Sequence, residues 1–125
     1  MDLFTKKDLN TLLDIEGYPC VSIYIPTVVK GQEVKKNPIL FKTLLEEAGK
    51  EAPEEKFPGL YDKAWELQKD SVFWSYQDRG LAAFLSEGFS RFWRLPIDPG
   101  SQVIVTDRFH VKPMLELFME DGTFY

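Results

Sequence analysis

Apolar positions recur along this chain at two periods, and the change between them divides it. The first half is mainly helical in spacing. Thr5 with Asp8 three residues later has the form of a capping box. Leu9, Leu12, Leu13 and Glu16 follow at helical spacing, with Gly17 placed as the glycine that ends the helix. Cys20-Val-Ser-Ile-Tyr-Ile25 then breaks the period. It is rich in β-branched residues, puts Val21, Ile23 and Ile25 on one face, and stops at Pro26. Both of its faces are apolar, which predicts a strand inside the sheet rather than at an edge.

Thr27 to Lys36 reads as a polar loop with Gly31 and three lysines. Asn37-Pro38 predicts a helix start, an N-cap residue followed by proline at the first helical position. Leu40, Phe41, Leu44, Leu45 and Ala48 form the apolar stripe of that helix, while Lys42, Glu46 and Lys50 face out. The charged stretch from Gly49 to Pro58 carries two prolines and reads as a solvated linker. A third helix is expected from about Pro58 to Asp70, with Leu60, Tyr61, Ala64, Trp65 and Leu67 inward.

Beyond Gly80 the period falls to two. Gly80–Ser86 and Phe89–Leu95 read as a hairpin about a Glu87-Gly88 turn, and Gln102–Asp107 as another buried strand after a Pro96–Gly100 loop. Pro113 opens a short helix with Met114, Leu115, Leu117 and Phe118. Asp121-Gly122 reads as a turn, and Thr123-Phe-Tyr125 as the first residues of a further strand. A chain that stops inside an apolar run reads as one cut from a longer protein, near residue 122. The expected fold is a single α+β domain, a central, mostly antiparallel sheet of about four strands with flanking helices.

Composition narrows the function classes. With 125 residues, 44% hydrophobic and 28% charged, the chain can bury a core and is neither disordered nor fibrous. Its net charge of −5 argues against whole-surface affinity for nucleic acid and leaves room only for a local basic patch. The one cysteine, Cys20, rules out an internal disulfide. No apolar run approaches the roughly 20 residues of a membrane span, and the first residues lack the apolar core of a signal peptide. The expected location is the cytoplasm, with no membrane partner.

Catalytic signatures are sparse. One His and one Cys make no structural zinc site, and no calcium loop, Walker loop, GxGxxG or GxSxG occurs. Neither a metal nor a cofactor is expected. A hydrolytic triad on His110 would need Ser22 or Ser90 as nucleophile and Asp107 as its orienting acid. The plainer reading is a partly buried His at a strand end, and Cys20 reads as a small buried hydrophobe.

The polar features with most content are basic. Lys30, Lys35, Lys36 and Lys42 cluster around the expected helix start, where free N–H groups and the helix dipole favour phosphate. A second set is Arg79, Arg91, Arg94, Arg108 and Lys112. Glu46 to Asp70 carries eight acidic against four basic residues, so the negative charge lies elsewhere. Arginines alternating with Phe92 and Trp93 are one route to base stacking, though such aromatics, with Trp74, Tyr76 and Phe89, more often close a helix–sheet interface.

Four stretches in order, Val21-Ser-Ile-Tyr-Ile-Pro-Thr27, Gly31 to Lys42, Gly80-Leu-Ala-Ala-Phe-Leu85 and Arg108-Phe-His-Val-Lys-Pro113, together with Asp121-Gly-Thr-Phe-Tyr125, make the chain resemble one known domain. It is similar to the N-terminal domain of the bacterial homologues of the archaeo-eukaryotic peptide-chain release factors. The resemblance implies a three-domain parent with an RNase H-like middle domain and an L7Ae-like third, and an α+β fold. It implies structural weight for Pro26, Thr27, Gly31, Asn37, Pro38, Gly80 and Pro113. In the better-known release factors this domain reads the stop codon through an Asn-Ile-Lys-Ser loop, and that motif is absent here. The Gly-Gly-Gln tripeptide for peptide release belongs to the middle domain.

The function expected is therefore a non-catalytic recognition domain of a translation-associated factor, bound to the ribosome or tRNA. Lys30, Lys35, Lys36 and Lys42 are its expected phosphate contacts, and Arg108, His110 and Lys112 a second contact. The rival is an interaction or interdomain docking module that holds sister domains through the surface around Trp74, Phe92 and Trp93.

Overall fold

A computed structural model describes residues 3–118. Helix α1 (Lys6–Asp14) begins at the expected capping box, the Asp8 N–H donating to Thr5 Oγ1 at 3.2 Å and the Thr5 N–H to Asp8 Oδ2 at 3.0 Å. It does not end on Gly17. Its C-cap is Ile15, and Gly17 (φ 123°) lies inside strand β1 (Glu16–Pro26), where the register with β4 shifts between Glu16 and Cys20. The left-handed backbone that suits a helix end suits a strand irregularity equally well.

Strands β2 (Gly80–Ser86) and β3 (Phe89–Leu95) form the expected hairpin, and β4 (Gln102–Arg108) completes a sheet ordered β3-β2-β1-β4 with every pairing antiparallel. The fold is thus α+β. β1 is central as its apolar faces require, with Val21 opposite both Leu85 and Val105. β4, expected to be buried, is an edge strand and only half-buried. Its β-branched residues serve one neighbouring strand, and composition does not distinguish that from two.

Each face of the sheet carries its own core. Val21, Ile23, Ile25, Leu81, Ala83 and Leu85 pack on one side against Phe41, Leu44, Leu45 and Ala48 of α2 (Lys36–Glu51). Cys20, Tyr24, Ala82, Phe84 and Trp93 pack on the other against Phe4 just before α1, Leu12 of α1, Phe109 beyond β4 and Met114 of α5 (Lys112–Leu115). The odd and even positions of β1 thereby fill two separate helix–sheet interfaces.

The expected linker and third helix differ in form. α2 runs on to Glu51, and Ala52 beyond it is fully buried, its carbonyl accepting the Tyr61 hydroxyl at 2.7 Å. Phe57 packs on the same core, so the stretch is anchored by two apolar side chains while Glu54, Glu55, Lys56 and Pro58 stay exposed. The helix expected over Pro58–Asp70 is the shorter α3 (Asp62–Gln68), and Asp70 starts α4 (Ser71–Trp74) instead of ending α3. Its carboxylate accepts the N–H groups of Val72 and Phe73 at 3.0 and 3.1 Å. A lone Asp between two apolar runs is as good an N-cap as a terminus. The turn and strand expected over 121–125 lie outside the described residues.

Candidate functional site

The lysine segment begins where β1 stops. Pro26 is the last strand residue, and buried Thr27 anchors the exit, its N–H donating to the Arg79 carbonyl at 3.0 Å and its hydroxyl to the Asp78 carbonyl. Gly31 (φ 88°) turns the chain into a 3-10 turn over Gln32–Lys35 that runs directly into α2. This overturns the expected helix start. Asn37 is no N-cap but the second residue of α2 and is buried, while the Lys36 N–H already donates to the Glu33 and Val34 carbonyls. Pro38 falls in the first turn, where a missing N–H costs nothing. Its carbonyl accepts Gln68 Nε2 at 3.1 Å, tying α2 to α3.

Asn37 instead clamps the loop. Its Oδ1 accepts the Val28 N–H and its Nδ2 donates to the Val28 carbonyl, both at 3.0 Å. The carboxamide pairs with one residue of extended backbone as a neighbouring strand would, which satisfies the polar groups of a buried side chain. Around this fixed point Lys30, Lys35, Lys36 and Lys42 are all exposed. Lys36 makes an exposed ion pair with Glu33 at 2.6 Å, which at that exposure is easily exchanged for a phosphate.

The second basic set lies elsewhere. Arg108 pairs with Glu16 at 3.4 Å and donates to the Leu13 carbonyl at 3.2 Å, at the opposite end of β1 from the lysines. Eleven strand residues separate the two ends, about 33 Å at 3.3 Å per residue. His110 and Lys112 follow as the chain folds back over the face of the sheet that α2 does not cover. The His110 N–H donates to Ser22 Oγ at 2.9 Å, and the Tyr24 hydroxyl donates to the His110 carbonyl. Pro113 is buried in the first turn of α5. The two basic sets named from the sequence are therefore not brought together.

Two of the polar groups considered for a triad have other partners: Ser22 Oγ accepts the His110 main-chain N–H, and Asp107 Oδ1, exposed on the edge strand, accepts the Thr106 hydroxyl at 3.2 Å. Burial pushes the Cys20 thiol up from its ordinary value, and its Sγ donates to the Gly17 carbonyl at 3.3 Å. Burial likewise raises the Tyr24 hydroxyl. Among the described residues no group of three or more His, Cys, Asp or Glu is placed to hold a metal, and no helix is long and apolar enough to cross a membrane.

The aromatic surface expected of a docking module is largely internal. Trp74 and Trp93 are only 6% and 8% exposed, and they sit in the cores on opposite faces of the sheet, with Phe92 packed on the Trp74 side. Arg94 lies over the Phe73 ring, 4.4 Å from its centroid, and Arg91 over Phe89 at 5.0 Å, so these arginines cover protein aromatics.

No family model and no curated protein matches the chain. Exposed aliphatics that were not expected from the sequence stand beside the lysines. Val28, Val29 and Ile39 are 39%, 54% and 61% exposed. The signal was present in part, since Ile39 falls off the Phe41, Leu44, Leu45 and Ala48 stripe and so points away from the core.

Proposed function

We propose that this chain is the non-catalytic recognition domain of a translation-associated, release-factor-like protein of the cytoplasm, and that it contacts the ribosome or tRNA through the lysine segment. The observation that carries this reading is local charge. From Lys30 to Lys42 there are four lysines and one acidic residue, Glu33, in a chain whose net charge is −5. All four lysines are exposed on a loop and helix start held in place by Asn37 and Thr27. A pre-ordered basic loop loses little entropy on meeting phosphates. Arg108, on the far end of β1, belongs to a separate footprint, and its Glu16 partner lowers its value to an anion.

Four phosphate contacts predict a steep salt dependence. Raising salt from 50 to 200 mM should weaken binding on the order of a hundredfold. The test is co-sedimentation with 70S ribosomes at both salts, for the natural chain and for one with Lys30, Lys35, Lys36 and Lys42 all changed to Ala. Loss of pelleting in high salt and in the variant supports the reading. Pelleting that ignores both overturns it.

A further inference from the structure

A groove of about 590 Å³ opens where the start of α2 meets α3 and α4, and its lining includes Val34, Lys35, Pro38, Lys69, Ser71 and Trp74. That volume lies within the ordinary range of small-molecule clefts. We propose that it binds a small organic phosphate monoester, the phosphate held between Lys35 and Lys69 and the organic part laid on Val34, Pro38 and Trp74.

Charge selects the head group. Lys35 and Lys69 are the charged residues of the lining, and neither makes an ion pair among the described residues. The acids closest to them in sequence are engaged elsewhere. Glu33 pairs with Lys36, and the Asp70 carboxylate accepts the Val72 and Phe73 N–H groups. The groove therefore carries two positive charges that no described residue of its lining offsets. A phosphate monoester brings nearly two negative charges in one group at neutral pH, whereas a carboxylate or an RNA phosphodiester brings one. Lysine ammonium groups hold phosphate as point charges, and the described lining has no arginine fork for a carboxylate. Ser71 and Ser75 add hydroxyls, and that of Ser71 has no partner among the described residues.

The rest of the lining selects the body of the ligand. Val34, Pro38 and the Trp74 ring are apolar, so an inorganic ion alone would leave them facing water. The walls are also fixed in advance. Gln68 Nε2 donates to the Pro38 carbonyl at 3.1 Å, which ties α3 to α2. Trp74 Nε1 donates to the Leu67 and Gln68 carbonyls at 2.9 and 3.0 Å, which ties α4 to α3. Binding therefore has little chain to order. The inference goes beyond the ribosomal contact proposed above, sharing Lys35 with it and adding Lys69 from the end of α3.

The test titrates the 125-residue chain with 1-naphthyl phosphate, inorganic phosphate, 1-naphthol, phthalate and oligouridylate lacking a terminal phosphate, followed by amide NMR shifts. 1-Naphthyl phosphate should bind saturably and move amides within 34–38 and 68–75. Inorganic phosphate, phthalate and 1-naphthol should each bind at least about fivefold more weakly, since each lacks the body or part of the charge. Lys69→Ala and Ser71→Asp, both at exposed positions, should each weaken 1-naphthyl phosphate at least about tenfold. Any binding of oligouridylate should be the same in Lys69→Ala as in the natural chain. Lys69→Ala should leave ribosome pelleting unchanged. Lys30→Ala with Lys42→Ala should reduce pelleting and leave 1-naphthyl phosphate binding within about threefold. Failure of this inference is thus distinguishable from failure of the ribosomal contact. Absent binding of 1-naphthyl phosphate, or binding indifferent to Lys69→Ala, would overturn the inference. So would inorganic phosphate, phthalate or 1-naphthol bound as tightly, or Lys69-dependent capture of oligouridylate.

Discussion

Asn37 holds both main-chain polar groups of Val28, at 3.0 Å each, from a position inside the first turn of α2. This one side chain joins the loop that leaves the central strand to the helix that covers it. Its burial, with both amide functions satisfied, makes it a specific rather than an interchangeable polar group.

Asn37→Asp keeps the acceptor for the Val28 N–H but sets a carboxylate against the Val28 carbonyl. The expected cost is about 2–3 kcal/mol, more than a neutral hydrogen bond is worth, because a buried acceptor then faces an acceptor. Asn37→Ala should cost about 1–2 kcal/mol and loosen the lysine loop. Urea unfolding with amide exchange at residues 28–36 measures both. An Asp variant as stable as the natural chain, with the loop equally protected, sinks the clamp.

Gly80 is required by a close approach. A β-carbon there would lie 2.4 Å from Pro99 Cδ and 2.5 Å from the Ile97 carbonyl oxygen, so the Pro96–Gly100 loop would have to lift. Gly80→Ala should destabilise by about 1–3 kcal/mol, as overpacking does. Loss of the Thr27–Arg79 contact next door should accompany it, visible as exchange of the Thr27 amide. Unchanged thermal stability in this variant would remove the contact from the account.

Alkaline pH should destabilise this protein through its buried tyrosines. Burial first, then the neighbouring Tyr18, Glu51 and Glu54, push the Tyr61 hydroxyl up to about 12 from its ordinary 10.0. The folded chain thus holds a proton that the unfolded chain releases near pH 10. The stability is complete below pH 10, falls as pH rises toward 12, and levels off beyond it. Two units correspond to about 3 kcal/mol at most. Tyr24 adds to the loss in the same direction. Denaturant melts of the natural chain and of Tyr61→Phe from pH 8 to 12 should differ in slope above pH 10. Identical slopes would show that Tyr61 does not contribute.

Where structure follows from neighbours a few residues apart, the amino acids were sufficient. The Thr5–Asp8 box starts α1, the Glu87-Gly88 turn sets the bounds of β2 and β3, and the two apolar faces of Cys20–Ile25 place β1 in the middle of the sheet. Capping, turn geometry and residue alternation are local or period-two properties and can be read along a line. Other positions suited two local solutions. Gly17 suits a helix end or a strand irregularity, Asp70 a terminus or a cap, Asn37 an N-cap or a clamp, and packing selected the second each time.

The candidate site divides the same way. That Lys30, Lys35, Lys36 and Lys42 are all exposed was legible, because they are charged and lie in a polar stretch. That Arg108 stands at the other end of β1 from them, and that Val28 and Ile39 line one groove, was not legible. Those relations depend on which strand lies beside β1 and on the buried carboxamide that joins Val28 to α2. Only the tertiary structure decides them, since long-range pairing is chosen by the summed burial of two cores rather than by any short segment.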